Sequence, residues 1–119
     1  MRNFNHILIL FFISIFISCY SQNCETLNEN FSSYEDALSV VKRTKFYFED
    51  KCNTSKSDWI KGAEFYSCDN LKGYFFISIR NTNYIHKDMP KEVWEEFKKS
   101  DSFGSFYNKR IKGKYKLII

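Results

Sequence analysis

The order of apolar and polar positions divides the chain into an apolar leader, an alternating middle and a helical end. From Ile7 to Ile17 the residues are apolar apart from Ser14 and carry no charge. Tyr34, Ala37, Leu38 and Val41 recur at helical spacing. Ser32 with Glu35 three residues on predicts a capping box, and the helix should end near Lys42-Arg43. Lys45 to Glu49 alternates as a strand does, and Asp50 to Asp58 reads as a polar loop around Cys52. Two further strands are predicted at Trp59–Cys68 and Tyr74–Arg80, with a turn at Asp69–Gly73 and a bulge at Gly62. Phe75, Ile77 and Ile79 mark the expected core face. A second turn at Asn81-Thr82-Asn83 leads into a short strand, Tyr84-Ile85-His86.

The last third is helical in pattern. Pro90 is expected to open a helix at its first position, with Val93, Trp94 and Phe97 as the apolar stripe. Ser102 is the expected cap of a second helix. Phe103, Phe106, Tyr107 and Ile111 fall on one face, and Gly113 stands beyond its end. Trp59, Trp94, Phe103, Phe106 and Ile111 are assigned to the core. The fold class is α+β: a small antiparallel β-meander of three to four strands, packed with an N-terminal helix and two C-terminal helices.

The leader changes the compartment. Arg2, the apolar run and the small residues Cys19 and Ser21 before Gln22 predict a signal peptide over residues 1–21. Lipidation at Cys19 is the alternative, although Phe16 stands where a lipobox carries Leu; an uncleaved anchor is the third. Each places residues 22–119 outside the cytoplasm, in the periplasm or secreted. The expected division is then a linker over 22–31, a helix and strand extension over 32–56, and a domain over 57–119. Cys24, Cys52 and Cys68 are an odd number for an oxidising compartment. Three pairings exist; the polar surroundings of Cys24 and Cys52 point to a disulfide between those two, with Cys68 buried.

Charge separates the two ends. The chain carries +4 overall, but from Lys98 onward there are seven basic residues and one acidic residue, Asp101. Cations near a helix C-terminus suit its dipole, which accounts structurally for part of this charge. The remainder is either a solvated, solubilising end or a surface for an anionic partner.

The residues Tyr84-Ile85-His86-Lys87-Asp88-Met89-Pro90, Val93-Trp94 and Gly104-Ser105-Phe106-Tyr107-Asn108, followed by Ile111-Lys112-Gly113 and Tyr115, resemble the KTSC domain. That family is named for its occurrence at the C-terminus of some lysyl-tRNA synthetases, and it also occurs as a stand-alone bacterial protein. The resemblance covers roughly residues 57–117. It implies a short meander followed by helices, a suggested RNA-binding role and no established activity. The family's central Tyr-x-Tyr is Tyr84-Ile85-His86 here, so His86 replaces the second tyrosine.

Lys109, Arg110, Lys112 and Lys114, interleaved with Tyr107 and Tyr115, are the candidate anion-binding residues. Tyr84 and His86 share a strand face; they are candidate stacking groups or ordinary sheet aromatics. Asn108 is a candidate ligand contact or a partner for buried backbone. No nucleophile, base and orienting partner stand at catalytic spacing, no cluster has metal spacing, and no cofactor is expected. The sequence therefore predicts a non-enzymatic exported module. Its partner would be a polyanion (nucleic acid, anionic glycan or lipid headgroup) or an acidic protein. The competing expectation is an envelope protein-interaction module whose charge only solubilises it.

Overall fold

A computed structural model describes residues 22–119; the expected signal peptide over residues 1–21 and the alternative lipidation at Cys19 lie outside the described residues. The chain runs β1 (Gln22–Asn23), a 3-10 turn (Cys24–Thr26), α1 (Tyr34–Lys42), β2 (Thr44–Lys45) and β3 (Phe48–Cys52). It continues through β4 (Ile60–Ser67), β5 (Lys72–Ile79), β6 (Thr82–Pro90), α2 (Lys91–Lys99) and α3 (Phe103–Phe106). The last helix widens into a π-helical turn over Tyr107–Ile111. Strands β3-β4-β5-β6 form one antiparallel sheet in sequence order, and β1 pairs with β2 in a two-residue parallel ladder. The architecture is α+β.

The strands follow the local chemistry. The first tight turn is built on Asp69, whose carboxylate accepts from the N–H groups of Leu71 and Lys72, at 2.9 and 3.1 Å. Asn70 takes the left-handed conformation there, φ 64°, which asparagine tolerates. Gly73 is required by close approach, because a Cβ there would stand 2.1 Å from the carbonyl oxygen of Tyr66. The register shifts between Ile60 and Gly62, where the sequence predicted a bulge. The second turn is tighter than expected. It turns at Arg80-Asn81, with Arg80 at φ 55°, so β6 runs from Thr82 to Pro90 instead of spanning three residues.

Both faces of the sheet are covered. On one, Phe65, Phe75, Ile77 and Met89 pack under Val93, Trp94 and Phe97 of α2 and Phe103, Tyr107 and Ile111 beyond it. On the other, Tyr66, Phe76 and Ile85 meet Ala37 and Val41 of α1 and Phe46. The single core face expected at Phe75, Ile77 and Ile79 is thus one of two. The unbroken apolar run Tyr74-Phe75-Phe76-Ile77 is what a strand covered on both sides carries.

Several helix ends shift by one residue. Ser33, not Ser32, caps α1: its hydroxyl accepts from the N–H of Asp36 at 3.0 Å. Asp36, not Glu35, reaches back, accepting from the N–H of Ser32 at 3.0 Å. Pro90 ends β6 and stands as the residue before α2. Ser102 caps α3 as expected, accepting from the N–H of Ser105, and Gly113 sits just beyond the π turn at φ 78°.

The cysteine pairing differs from the expectation. The disulfide joins Cys24 to Cys68, with Cα atoms 5.8 Å apart, and Cys52 is unpaired. Cys24 and Cys68 both pack on the α1 side of the sheet, whereas Cys52 packs on the α2 side. A Cys24–Cys52 bond would have to pass through the sheet. Polar surroundings along the chain do not report which face a residue occupies.

The final residues form an element with no sequence-based prediction. The N–H of Ile85 donates to the carbonyl of Ile119, the N–H of Ile118 donates to that of Ile85, and the N–H of Lys87 donates to that of Lys116, at 2.8 to 2.9 Å. Leu117 bridges antiparallel to His86. Residues 116–119 therefore cover the outer edge of β6, which would otherwise expose unpaired backbone groups.

Candidate functional site

Strand alternation sends Tyr84 and His86 to the α2 side, because residues two apart share a face. The π turn brings Tyr107 down onto them. Tyr107 and Ile111, four residues apart on one side of this turn, are both buried, at 3% and 0% exposure. π turns of this kind are frequent where a helix positions a functional side chain. The chain then turns at Gly113 and runs back along β6. A cavity of about 500 Å³ lies between β6, the π turn and this returning segment.

Four aromatic residues wall the cavity: Trp59, Tyr84, Tyr107 and Tyr115. Lys112, Lys114 and Lys116 also line it, and none of the described residues lining it carries a carboxylate. The edge of the Trp59 indole rests on Gly104, where a Cβ would fall 1.8 Å from the ring. Trp59 is accordingly half-buried at the cavity wall, not enclosed in the core as expected. Phe106 is half-buried too, while Trp94, Phe103 and Ile111 are buried as expected.

His86 forms the floor and is 2% exposed. Its Nδ1 lies 3.1 Å from the carbonyl oxygen of Tyr115, and its Nε2 2.8 Å from the Tyr107 hydroxyl. Burial holds the imidazole below its ordinary pKa, outweighing the opposite pull of the Tyr115 carbonyl. It is neutral near pH 7 and offers no positive charge to an anion. Burial, with the neighbouring Tyr84 second, pushes the Tyr107 hydroxyl up to about 12, so it remains a phenol.

The candidate basic residues divide. Lys112 and Lys114 line the cavity with Tyr84 and His86. Lys109 and Arg110 line a separate shallow depression with Asp101 and Phe106. Arg110 is paired with Glu96 at 2.5 Å, and its guanidinium lies 5.1 Å from the Phe106 ring centre. Asn108 is exposed and lines the cavity, so it does not satisfy buried backbone. Of the lining residues the candidate set lacked, Trp59 and Lys116 add an aromatic face and a charge, beside Ile79, Gly113 and Leu117. Lys116 follows Lys112 and Lys114 in the same returning segment, all of whose residues from Lys112 to Leu117 line the cavity. Among the described residues, no three His, Cys, Asp or Glu side chains gather as a metal ion requires. Nor is any described helix long and apolar enough to cross a membrane.

A four-stranded meander clad by helices on both faces, with one aromatic and lysine-lined cavity at its covered edge, defines a small α+β domain. Over residues 79–115 the chain matches the KTSC domain family. The matched stretch begins at the end of β5 and spans β6, α2, α3 and the π turn, carrying most of the cavity wall. No curated protein and no solved structure matches the chain significantly.

Proposed function

We propose that this protein is an exported, non-enzymatic binding module that holds an anionic ligand in the cavity between β6, the π turn and the returning C-terminal segment. The observation that carries this reading is the lining itself: three lysines and four aromatic rings with no carboxylate among the described residues. Lysines gathered where no carboxylate lines the same pocket attract anions, and aromatic faces give such a ligand apolar area to stack on. The separation of Lys109 and Arg110 from the cavity favours a ligand held in a pocket over a polyanion laid along the whole basic segment.

Two features support binding without turnover. Both ring nitrogens of His86 are engaged, and Tyr107 is held as a phenol. Export is supported by the apolar leader and by the Cys24–Cys68 disulfide, which an oxidising compartment maintains. Periplasm or external medium is the proposed location.

The test is a titration with a mononucleotide, a sulfated oligosaccharide and a single-stranded oligonucleotide, at low and high salt. Replacing Lys112, Lys114 and Lys116 with glutamine should weaken binding by about tenfold or more and flatten its salt dependence. Replacing Lys109 and Arg110 should leave it within about twofold, since rim charges outside a site contribute little. Equal losses from the two sets would return the function to the basic segment as a whole.

A further inference from the structure

The cavity floor holds a hydrogen-bond chain whose direction is set by its first member. The carbonyl oxygen of Tyr115 can only accept, so Nδ1 of His86, 3.1 Å away, donates to it. A neutral imidazole has one N–H, so Nε2 is an acceptor. The Tyr107 hydroxyl, 2.8 Å from Nε2, therefore directs its proton at His86. Its oxygen keeps lone pairs and offers no proton to the cavity. His86 and Tyr107 are 2% and 3% exposed, so water does not compete for the link between them.

We propose that the Tyr107 oxygen is a one-way acceptor that makes the cavity select anionic ligands whose planar ring carries an N–H or O–H donor. The inference rests on the anion-pocket reading above and names the ligand class for it. The ring is what Trp59, Tyr84 and Tyr115 would stack on, and the anionic group is what the lysines would hold. A volume of about 500 Å³ admits a unit the size of a mononucleotide or a substituted aromatic acid. His86 acts through Tyr107, as a positioning residue. A buried acceptor left facing a ligand without a donor goes unpaired, which is the physical source of the selection.

Two probe pairs that differ only in the donor test this by calorimetry on the oxidised protein. One is adenosine 5′-monophosphate against purine riboside 5′-monophosphate; the other is 4-hydroxybenzoate against benzoate. The pair that fits should show its donor-bearing member bound about tenfold more tightly. Tyr107→Phe should bring the two members to within about twofold, while the lysine replacements weaken both alike. His86→Phe frees the hydroxyl to rotate and should abolish or reverse the preference, a change that loss of stability alone would not produce. Equal binding of both members to the unaltered protein, or a preference that survives Tyr107→Phe, overturns the inference and leaves the anion pocket standing. If none of the four probes binds, this inference fails, and the anion pocket stands or falls separately on the oligosaccharide and oligonucleotide titrations above. The preference is read first on the unaltered protein, so a variant that does not fold cannot mask the outcome.

Discussion

The Nε2 atom of His86 lies 2.8 Å from the hydroxyl oxygen of Tyr107, across 21 residues of sequence. The contact joins the central strand motif of the KTSC-matching segment to its helical end. It also places the one histidine of residues 22–119 in a buried, neutral state.

That state makes stability depend on pH. The folded pKa of His86 lies below its unfolded value of about 6.5, so below that pH the unfolded chain binds the proton more readily. The contribution is present in full above about pH 6.5 and declines as pH falls towards the folded pKa. Urea midpoints for the native protein should therefore drop between pH 7 and pH 5, and His86→Gln should remove that part of the slope. Glu29 acts lower on the scale. A hydrogen bond from Tyr74 and the nearby Lys87 lower its pKa, so its contribution is lost only below about pH 4.5.

The disulfide should dominate the response to reductant. Cys24 and Cys68 are 44 residues apart, and closing such a loop stabilises by roughly 4 kcal/mol. Cys24→Ser or Cys68→Ser should cost about that much in denaturant unfolding, and reduction should cost the same. Cys52→Ser, at a half-buried site outside the bond, should cost under about 1 kcal/mol. A non-reducing peptide map should recover one linked pair, from Cys24 and Cys68.

Gly104→Ala tests the seat of Trp59. A Cβ there meets the indole at 1.8 Å, so the ring has to leave its position on the cavity wall. A stability loss of roughly 1–3 kcal/mol is expected from the overpacking. Trp94 is fully buried, so a red shift in tryptophan emission would report Trp59 moving towards water.

Removing residues 116–119 should expose the edge of β6. Three backbone hydrogen bonds disappear, at about 1 kcal/mol each, so a loss of roughly 2–4 kcal/mol is expected. Hydrogen exchange gives the sharper reading. The amides of Ile85 and Lys87 should lose protection, while that of Phe76, inside the sheet, should change only with global stability.

Much of this architecture was legible because its signals are local. The Asp69 turn, the Gly62 bulge, the Ser102 cap and the α2 stripe of Val93, Trp94 and Phe97 each depend on residues within one or two turns of chain. The candidate site was legible in part. Tyr84 and His86 share a face by strand alternation alone, and Lys112 and Lys114 reach the cavity with them. Trp59 was assigned to the core because a tryptophan at a strand start reads as buried. Its exposure depends on a glycine 45 positions away, Gly104. Arg110 joined the candidate set by its charge, and its ion pair with Glu96 depends on how α2 and the π turn pack.

From the sequence alone came the α+β class, the order of the meander, the helix starts to within about a residue, the KTSC resemblance and the concentration of charge at one end. These follow from periodicity, turn chemistry and composition, which operate between near neighbours. The strands expected at Lys45–Glu49 and Tyr84–His86 stand instead at Phe48–Cys52 and Thr82–Pro90. The tertiary structure decided that both sheet faces are buried, that Cys68 and not Cys52 meets Cys24, and that residues 116–119 close the edge of β6. It also divided the basic residues between a cavity and a separate depression, and it turned His86 from a candidate stacking group into a buried neutral floor. Each of those outcomes depends on which face of one sheet a distant segment packs against, and packing between distant segments is a property of the assembled chain.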